Sequence, residues 1–565
     1  MDHKEHFWRA VQPALAIAGG FSLFINLMLL APVIYMLQVY DRVLANHSLP
    51  TLGMLTSIVF VALLAMSLVD MARGRLTMEA ALRVDELLGE RTLKRVIRNA
   101  STLHGSDYLH ELKDIATIRA FFSGNNIIAL FDAPWLIVFV VLIYYFHPYM
   151  GLVALFGAML MMSVAVANEF ANRKALQQYQ DVTRQAGHFM DQGVRNADVL
   201  NSMGMTLRFA EQWKNINSVA LDLLQRSSGR IGVFLSLSKL IRHGVQVAMM
   251  CLGAYLVIRE NLTPGVMIAA TILLGRALAP VESMIGNWSG LVAARGAYER
   301  LSKLFPEIFL DEIRQELLRP LGRLEAQQVY LSGFDKDHMI LRAVNFVVPE
   351  SKSLAILGPS GSGKSSLAKL IVGVWVPTAG HVRIDGADVK HWDRSQLGSN
   401  IGYLPQDVEL FSGTISENIG RFDTSNSEAI LHAANAAHAY DLIVRLPQGF
   451  DTRLGIGGIQ LSAGQAQRIG LARALYGAPR IVVLDEPNAN LDAEGELALQ
   501  QAIADIKKAG STVILITHKP SLIVNIDYLM VLRDGAVQLF GAKEDVLSKL
   551  NTYTPSTSTS QGETA

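Results

Sequence analysis

A chain of 565 residues exceeds what a single hydrophobic core organises, so two or three domains are expected from length alone. Its 50 Lys and Arg balance 50 Asp and Glu, which removes a net basic excess as grounds for nucleic-acid binding. The one cysteine, Cys251, excludes an intrachain disulfide framework and a cysteine-based zinc site, and its apolar setting predicts a small buried hydrophobe.

Composition divides the chain into a membrane-like first half and a second half with the mixed polarity of a soluble α/β unit. In chain order, six apolar segments stand out, at 14–37, 51–69, 127–146, 151–168, 240–258 and 262–284. At ~1.5 Å per residue most reach about 27 Å or more, enough to cross a hydrocarbon layer of ~30 Å as helices. The first is too long for a signal-peptide core, and no small-residue cleavage site precedes the QVYDR that follows it.

The connections alternate between long and short. Residues 70–126 carry nine Lys and Arg and residues 169–230 carry eight, whereas the three short links carry one, none and one. The positive-inside rule therefore predicts cytoplasmic long connections and cytoplasmic termini. Stretches such as DMARGRLTMEAALRVDELLGERTLKRVIRNA keep helical periodicity, which predicts membrane helices extended far into the cytoplasm, within reach of a soluble domain. Three ionisable residues fall at membrane depth: Asp132 near the start of the third span, Arg276 two-thirds through the sixth, and Glu282 near its inner end. They read either as the lining of a substrate path or, for the arginine, as a side chain snorkelling to the interface.

The predicted division is a transmembrane domain over 1–302, a charged linker over 303–322, a nucleotide domain over 323–549 and a disordered, low-complexity tail over 550–565. Within the nucleotide domain an apolar strand, SLAILG, runs into GPSGSGKSS, where Gly358, Gly363, Lys364 and Ser365 satisfy the pattern G-x-x-x-x-G-K-[ST]. Residues Gly358, Pro359, Ser360, Gly361, Ser362, Gly363, Lys364, Ser365 and Ser366 are expected to cradle phosphates. Glycines let backbone N–H groups turn inward, Lys364 neutralises the β and γ phosphates, and the Ser365 hydroxyl ligates Mg²⁺. Downstream, RIVVLDEP ends in Asp485, expected to hold the metal, and Glu486, expected to polarise an attacking water. A third strand, STVILITH, ends in His518, and Gln406 in GYLPQD is suited to sensing metal or water.

The ordered set GPSGSGKSS, YLPQ, LSAGQAQR, VVLDEPNANLD and ITH resembles the ATP-binding domain of ABC transporters over roughly 323–549. The resemblance implies a membrane all-α six-helix exporter domain followed by an α/β P-loop domain. It further implies that Ser462, Gly464 and Gln465 complete an ATP site on the other subunit, with Ala463 replacing the usual glycine. Residues 489–492 would link the two sites, and Tyr330 or Phe334 would stack on adenine. One chain holds half of the exporter architecture, so a homodimer with two composite sites is expected.

The segments APVIYMLQVYDRVLANHSLPTL, FDAPWLIVFVVLIYYFHPYMGL, GVRNADVLNSMGM and GAYLVIRENLTPGVMIAATILLGRALAPVESMIGNW resemble the type I secretion permease/ATPases of Gram-negative inner membranes. That likeness implies a periplasmic membrane fusion protein and an outer-membrane channel as partners, surrounding lipid, and an unfolded polypeptide cargo bearing a C-terminal signal. The chain departs from the wider exporter pattern at Ile456, where many exporters carry a glutamate, and no peptidase-like domain is expected before the first span. A lipid or drug exporter would share every ATPase motif and differ only in the membrane segments. Six spans exclude a soluble ABC ATPase.

Overall fold

The computed structural model describes residues 3–100, 109–260, 262–308, 317–333, 338–455 and 457–553. The expectations for Phe334, for Ile456, for linker residues 309–316 and for the tail from 554 onward lie outside these residues. The chain forms two compact units divided after residue 310.

The first unit is helical: α1 (His3–Met28), α2 (Leu30–Gln38), a π-helical turn (Val39–Val43), α3 (Leu44–Asn46), α4 (Leu49–Ala100), α5 (Leu109–Ser123), α6 (Asn125–Asp132), α7 (Trp135–Phe146), α8 (Pro148–Arg195), α9 (Ala197–Ser202), α10 (Thr206–Glu260), α11 (Pro264–Gly286) and α12 (Trp288–Ile308). Among the described residues, six stretches are long and apolar enough to cross a membrane. Helices α4, α8 and α10 contain 52, 48 and 55 residues. At ~1.5 Å per residue they are about 70–80 Å long, more than twice the thickness of a bilayer core.

One expectation needs refinement and one needs correction. The third span runs over Asn126–Phe146 as expected but is interrupted at Ala133 and Pro134 between α6 and α7, because proline lacks an N–H and its ring displaces the carbonyl four residues earlier. Cys251 is exposed on α10 rather than buried. Lipid tails are as apolar as a protein interior, so an apolar membrane run does not dictate which face turns inward.

Two apolar clusters hold the unit. Phe139, Ile143, Met150, Met161, Met249 and Leu273 form one between the spans. Phe7, Val84, Leu88, Ile118 and Leu301 form the other, where α1, α4, α5 and α12 meet. Of the ionisable residues at membrane depth, Asp132 pairs with buried Arg73 at 3.2 Å, beside Ser22 and Asn26. Glu282 pairs with Arg242 at 2.7 Å, and Arg276 is exposed on α11. A bidentate Arg300–Asp114 pair, at 2.7 and 2.6 Å, fastens α12 to α5; hydrogen bonding to Asp114 raises the Arg300 pKa.

The second unit contains β1 (Leu324–Ser332), β2 (Met339–Val348), β3 (Ser353–Leu357), α13 (Lys364–Ile371), β4 (Ala379–Ile384), β5 (Ala387–Asp388), α14 (Arg394–Asn400), β6 (Ile401–Leu404), β7 (Gly413–Thr414), α15 (Ile415–Ile419), α16 (Ser427–Ala436), α17 (Tyr440–Val444), β8 (Arg453–Leu454), α18 (Ala463–Leu475), β9 (Ile481–Asp485), α19 (Ala493–Lys508), β10 (Thr512–Ile516), β11 (Tyr528–Arg533), β12 (Ala536–Ala542) and α20 (Lys543–Tyr553). One sheet runs β12-β11-β3-β10-β9-β6, parallel except for β12; a second, antiparallel sheet runs β2-β1-β4-β5. The interior strands β9 and β10 are buried at every position, which accounts for the apolar runs 481–484 and 513–516. Because β3, β6, β9 and β10 are parallel, their carboxyl ends share one edge, where open α/β sheets bind ligands.

Candidate nucleotide site

The phosphate loop spans 358–363 between β3 and α13. Gly361 and Gly363 have φ of +79° and +96°, a region costly for other residues. A Cβ at 363 would also lie 2.7 Å from the Leu341 side chain and 3.1 Å from the Ile340 carbonyl. Pro359, Ser360 and Gly361 are exposed along the loop, Ser362 is buried with no partner for its Oγ among the described residues, and Ser365 and Ser366 lie in the first turn of α13.

Lys364 donates from Nζ to the carbonyls of Gly358 and Pro359, each at 2.8 Å, so its ammonium is drawn over the loop. Burial lowers its pKa, opposed by the carboxylates of Glu486 and Asp485. Asp485, 1% exposed at the end of β9, has its pKa raised by burial, opposed by a hydrogen bond from Ser365. Its Oδ1 has no hydrogen-bond partner among the described residues. A buried carboxylate oxygen without a donor, beside a serine hydroxyl, is a donor set that a hard divalent cation suits.

Glu486 stands in a left-handed conformation, φ +47°, with its N–H held by the Ile516 carbonyl at 2.9 Å. Its Oε2 accepts from Gln406 Nε2 at 3.3 Å, and its Oε1 lies 3.3 Å from His518 Nε2. Three residues from three strand ends therefore meet at one carboxylate. Tyr330 is half-buried on β1, paired with Ala379 of β4.

The LSAGQ segment shapes a helix start. Ser462 caps α18 by accepting from the Gln465 N–H at 3.3 Å, and Gln465 Oε1 accepts from the Ser462 N–H at 2.9 Å. This reciprocal box leaves other N–H groups of the first turn free for an outside acceptor. A Cβ on Gly464 would lie 2.7 Å from the Asn490 carbonyl, whereas Ala463 is exposed at the first helical position. Ser462, Gly464 and Gln465 share a cleft of about 850 Å³ with Asn490, Leu491 and Asp492, and its wall includes none of residues 358–366.

Gln467 escaped the sequence reading. It is 1% exposed on α18, and its Nε2 donates to the Glu486 carbonyl at 3.4 Å, linking this helix to the strained glutamate. An amide among the apolar residues of a helix was the only available signal.

Comparisons with known proteins agree with this geometry. The family description "ABC transporter transmembrane region" matches residues 15–280, and "ABC transporter" matches residues 341–489. A type I secretion system ATP-binding protein of Rhizobium meliloti is 40% identical over 96% of this chain and 94% of its own length. A cyclolysin secretion/processing ATP-binding protein of Bordetella pertussis is 28% identical, covering 94% of this chain and 75% of the relative. The alpha-hemolysin translocation ATP-binding protein of Escherichia coli O157:H7 is 27% identical over 94% of this chain and 76% of its own. Among solved structures, a bacterial Atm1-family ABC exporter with ATP bound superposes with a TM-score of 0.78 over 96% of this chain and 97% of its own. At 22% identity that likeness concerns the fold.

Proposed function

The chain belongs to the ABC transporter family, among the type I secretion ATP-binding proteins, and we propose that this ATP-driven exporter works as a homodimer in a Gram-negative inner membrane. The observation that carries the dimer is the cleft at LSAGQ. Ser462, Gly464, Gln465 and Asn490–Asp492 face a space that the phosphate loop does not line, so a site using both needs a second copy. Each ATP would then lie between Lys364 of one protomer and Ser462 and Gly464 of the other.

Within such a site each residue has a definable task. Lys364 neutralises the β and γ phosphates, and the loop from Gly358 to Gly363 offers its N–H groups to them. Ser365 and Asp485 would hold Mg²⁺ with Gln406 beside them, and the ion would supply charge neutralisation on the phosphate oxygens. Glu486 accepts the proton of the attacking water, and His518 contacts the γ phosphate from the opposite side of the carboxylate. Tyr330 stacks on adenine.

The cargo is an unfolded protein with a C-terminal signal, such as an RTX-like protease, lipase or haem-scavenging protein. The cyclolysin and alpha-hemolysin transporters among the relatives support protein rather than lipid or drug as the substrate class. A membrane fusion protein and an outer-membrane channel complete the path, both termini are cytoplasmic, and exposed apolar residues such as Met54, Ile58 and Phe60 of α4 meet lipid. Comparing culture-medium proteins from cells carrying the wild-type gene, a deletion and the Lys364→Ala allele tests this reading. It predicts at least one polypeptide released only with the wild type; three identical media would reject it.

A further inference from the structure

His518 is half-exposed, with 50% of its side-chain surface accessible, so packing around the imidazole does not fix its direction. The residues on either side of it are held instead. Thr517 is fully buried, and its hydroxyl donates to Asn488 Oδ1 at 3.1 Å while accepting from the Lys519 N–H at 3.1 Å. The Lys519 ammonium pairs with Glu496 on α19. One hydroxyl thus bridges the backbone after His518 to a side chain two residues beyond Glu486, and an ion pair secures the far side.

We propose that Asn488 and Thr517 are positioning residues that aim His518 at Glu486. Asn490–Asp492 line the cleft shared with LSAGQ, whereas His518 stands at the phosphate-loop edge. The tie is part-buried and contains one hydroxyl with one side-chain acceptor, so replacing Thr517 by valine frees the loop without emptying space. The inference rests on the reading that His518 acts on the γ phosphate.

The test uses the full chain in lipid nanodiscs and measures ATP turnover for Thr517→Val, Thr517→Ser, Asn488→Ala, His518→Ala and the Thr517→Val/His518→Ala double variant. Thr517→Val keeps the shape and loses the hydroxyl. An unaimed catalytic group displaced by ~1 Å costs up to about a hundredfold, so Thr517→Val and Asn488→Ala are expected to lower kcat at least tenfold with KM for ATP changed less than about twofold. Thr517→Ser retains the hydroxyl and restores turnover. In the His518→Ala background Thr517→Val costs nothing further, because groups acting through one another are not additive. A wild-type rate in Thr517→Val beside an inactive His518→Ala overturns the proposal, as does a further loss in the double variant, which marks a general structural effect. A wild-type rate in His518→Ala would remove the role of His518 itself, and the brace with it.

Discussion

Substituting Gly464 by alanine places a methyl 2.7 Å from the carbonyl oxygen of Asn490, against 3.4 Å where ordinary contact begins. The overlap of about 0.7 Å falls on backbone rather than on a flexible tip, so the start of α18 or the segment 490–492 must move by a comparable amount. Overpacking of this kind costs about 1–3 kcal/mol, and the displaced groups are those proposed to contact ATP. A ~1 Å misplacement at a reacting centre lowers turnover by up to about a hundredfold. Ala463→Gly is the matched control: its methyl is exposed at the first helical position, so its removal is expected to change turnover less than about twofold and stability by at most ~1 kcal/mol. Both variants are assayed as full chains in nanodiscs by phosphate release against ATP concentration. Normal turnover in Gly464→Ala would refute the steric argument, and many-fold activation by Ala463→Gly would show instead that the alanine restrains the enzyme.

Glu486→Gln is expected to bind ATP normally, to lose nearly all turnover and to trap a nucleotide-bound dimer; equilibrium binding and single-turnover hydrolysis decide this, and normal hydrolysis removes Glu486 from its role. Lys364→Ala should insert into membranes as the wild type does while releasing no cargo, judged by membrane fractionation and immunoblotting of the medium; continued secretion contradicts ATP-driven export through this site. Asp132→Ala leaves Arg73 buried with the partly exposed Asp70 as its remaining carboxylate, at a cost of about 3 kcal/mol. Its thermal midpoint in detergent should fall by several degrees, and an unchanged midpoint sinks that energetic reading.

Much of this architecture is written locally. A helix that crosses a hydrocarbon layer must be long and apolar, and a phosphate cradle needs glycines where φ is positive, as at Gly361 and Gly363. Both demands leave compact marks, and the nucleotide motifs fall at the ends of the expected strands. What could not be read depends on partners distant in sequence. Arg73 meets Asp132 from another helix, Gln467 reaches the Glu486 carbonyl, and nothing in the sequence places the Asn490 carbonyl against Gly464. The outward face of Cys251 was hidden because lipid and protein interior reward an apolar side chain alike. Pro134 did carry a signal for the break in the third span, but the apolar run obscured it.

The composite ATP site is tested most directly by cross-linking. In a Cys251→Ala, Glu486→Gln background the chain carries no native thiol, so cysteines introduced at the exposed positions Ser360 and Ser462 are its only reactive groups. Oxidation with ATP and Mg²⁺ present should give a covalent dimer on a non-reducing gel, with much less when nucleotide is omitted or when either cysteine is present alone. A product that remains monomeric with ATP bound would contradict a site shared between Lys364 of one protomer and LSAGQ of its partner.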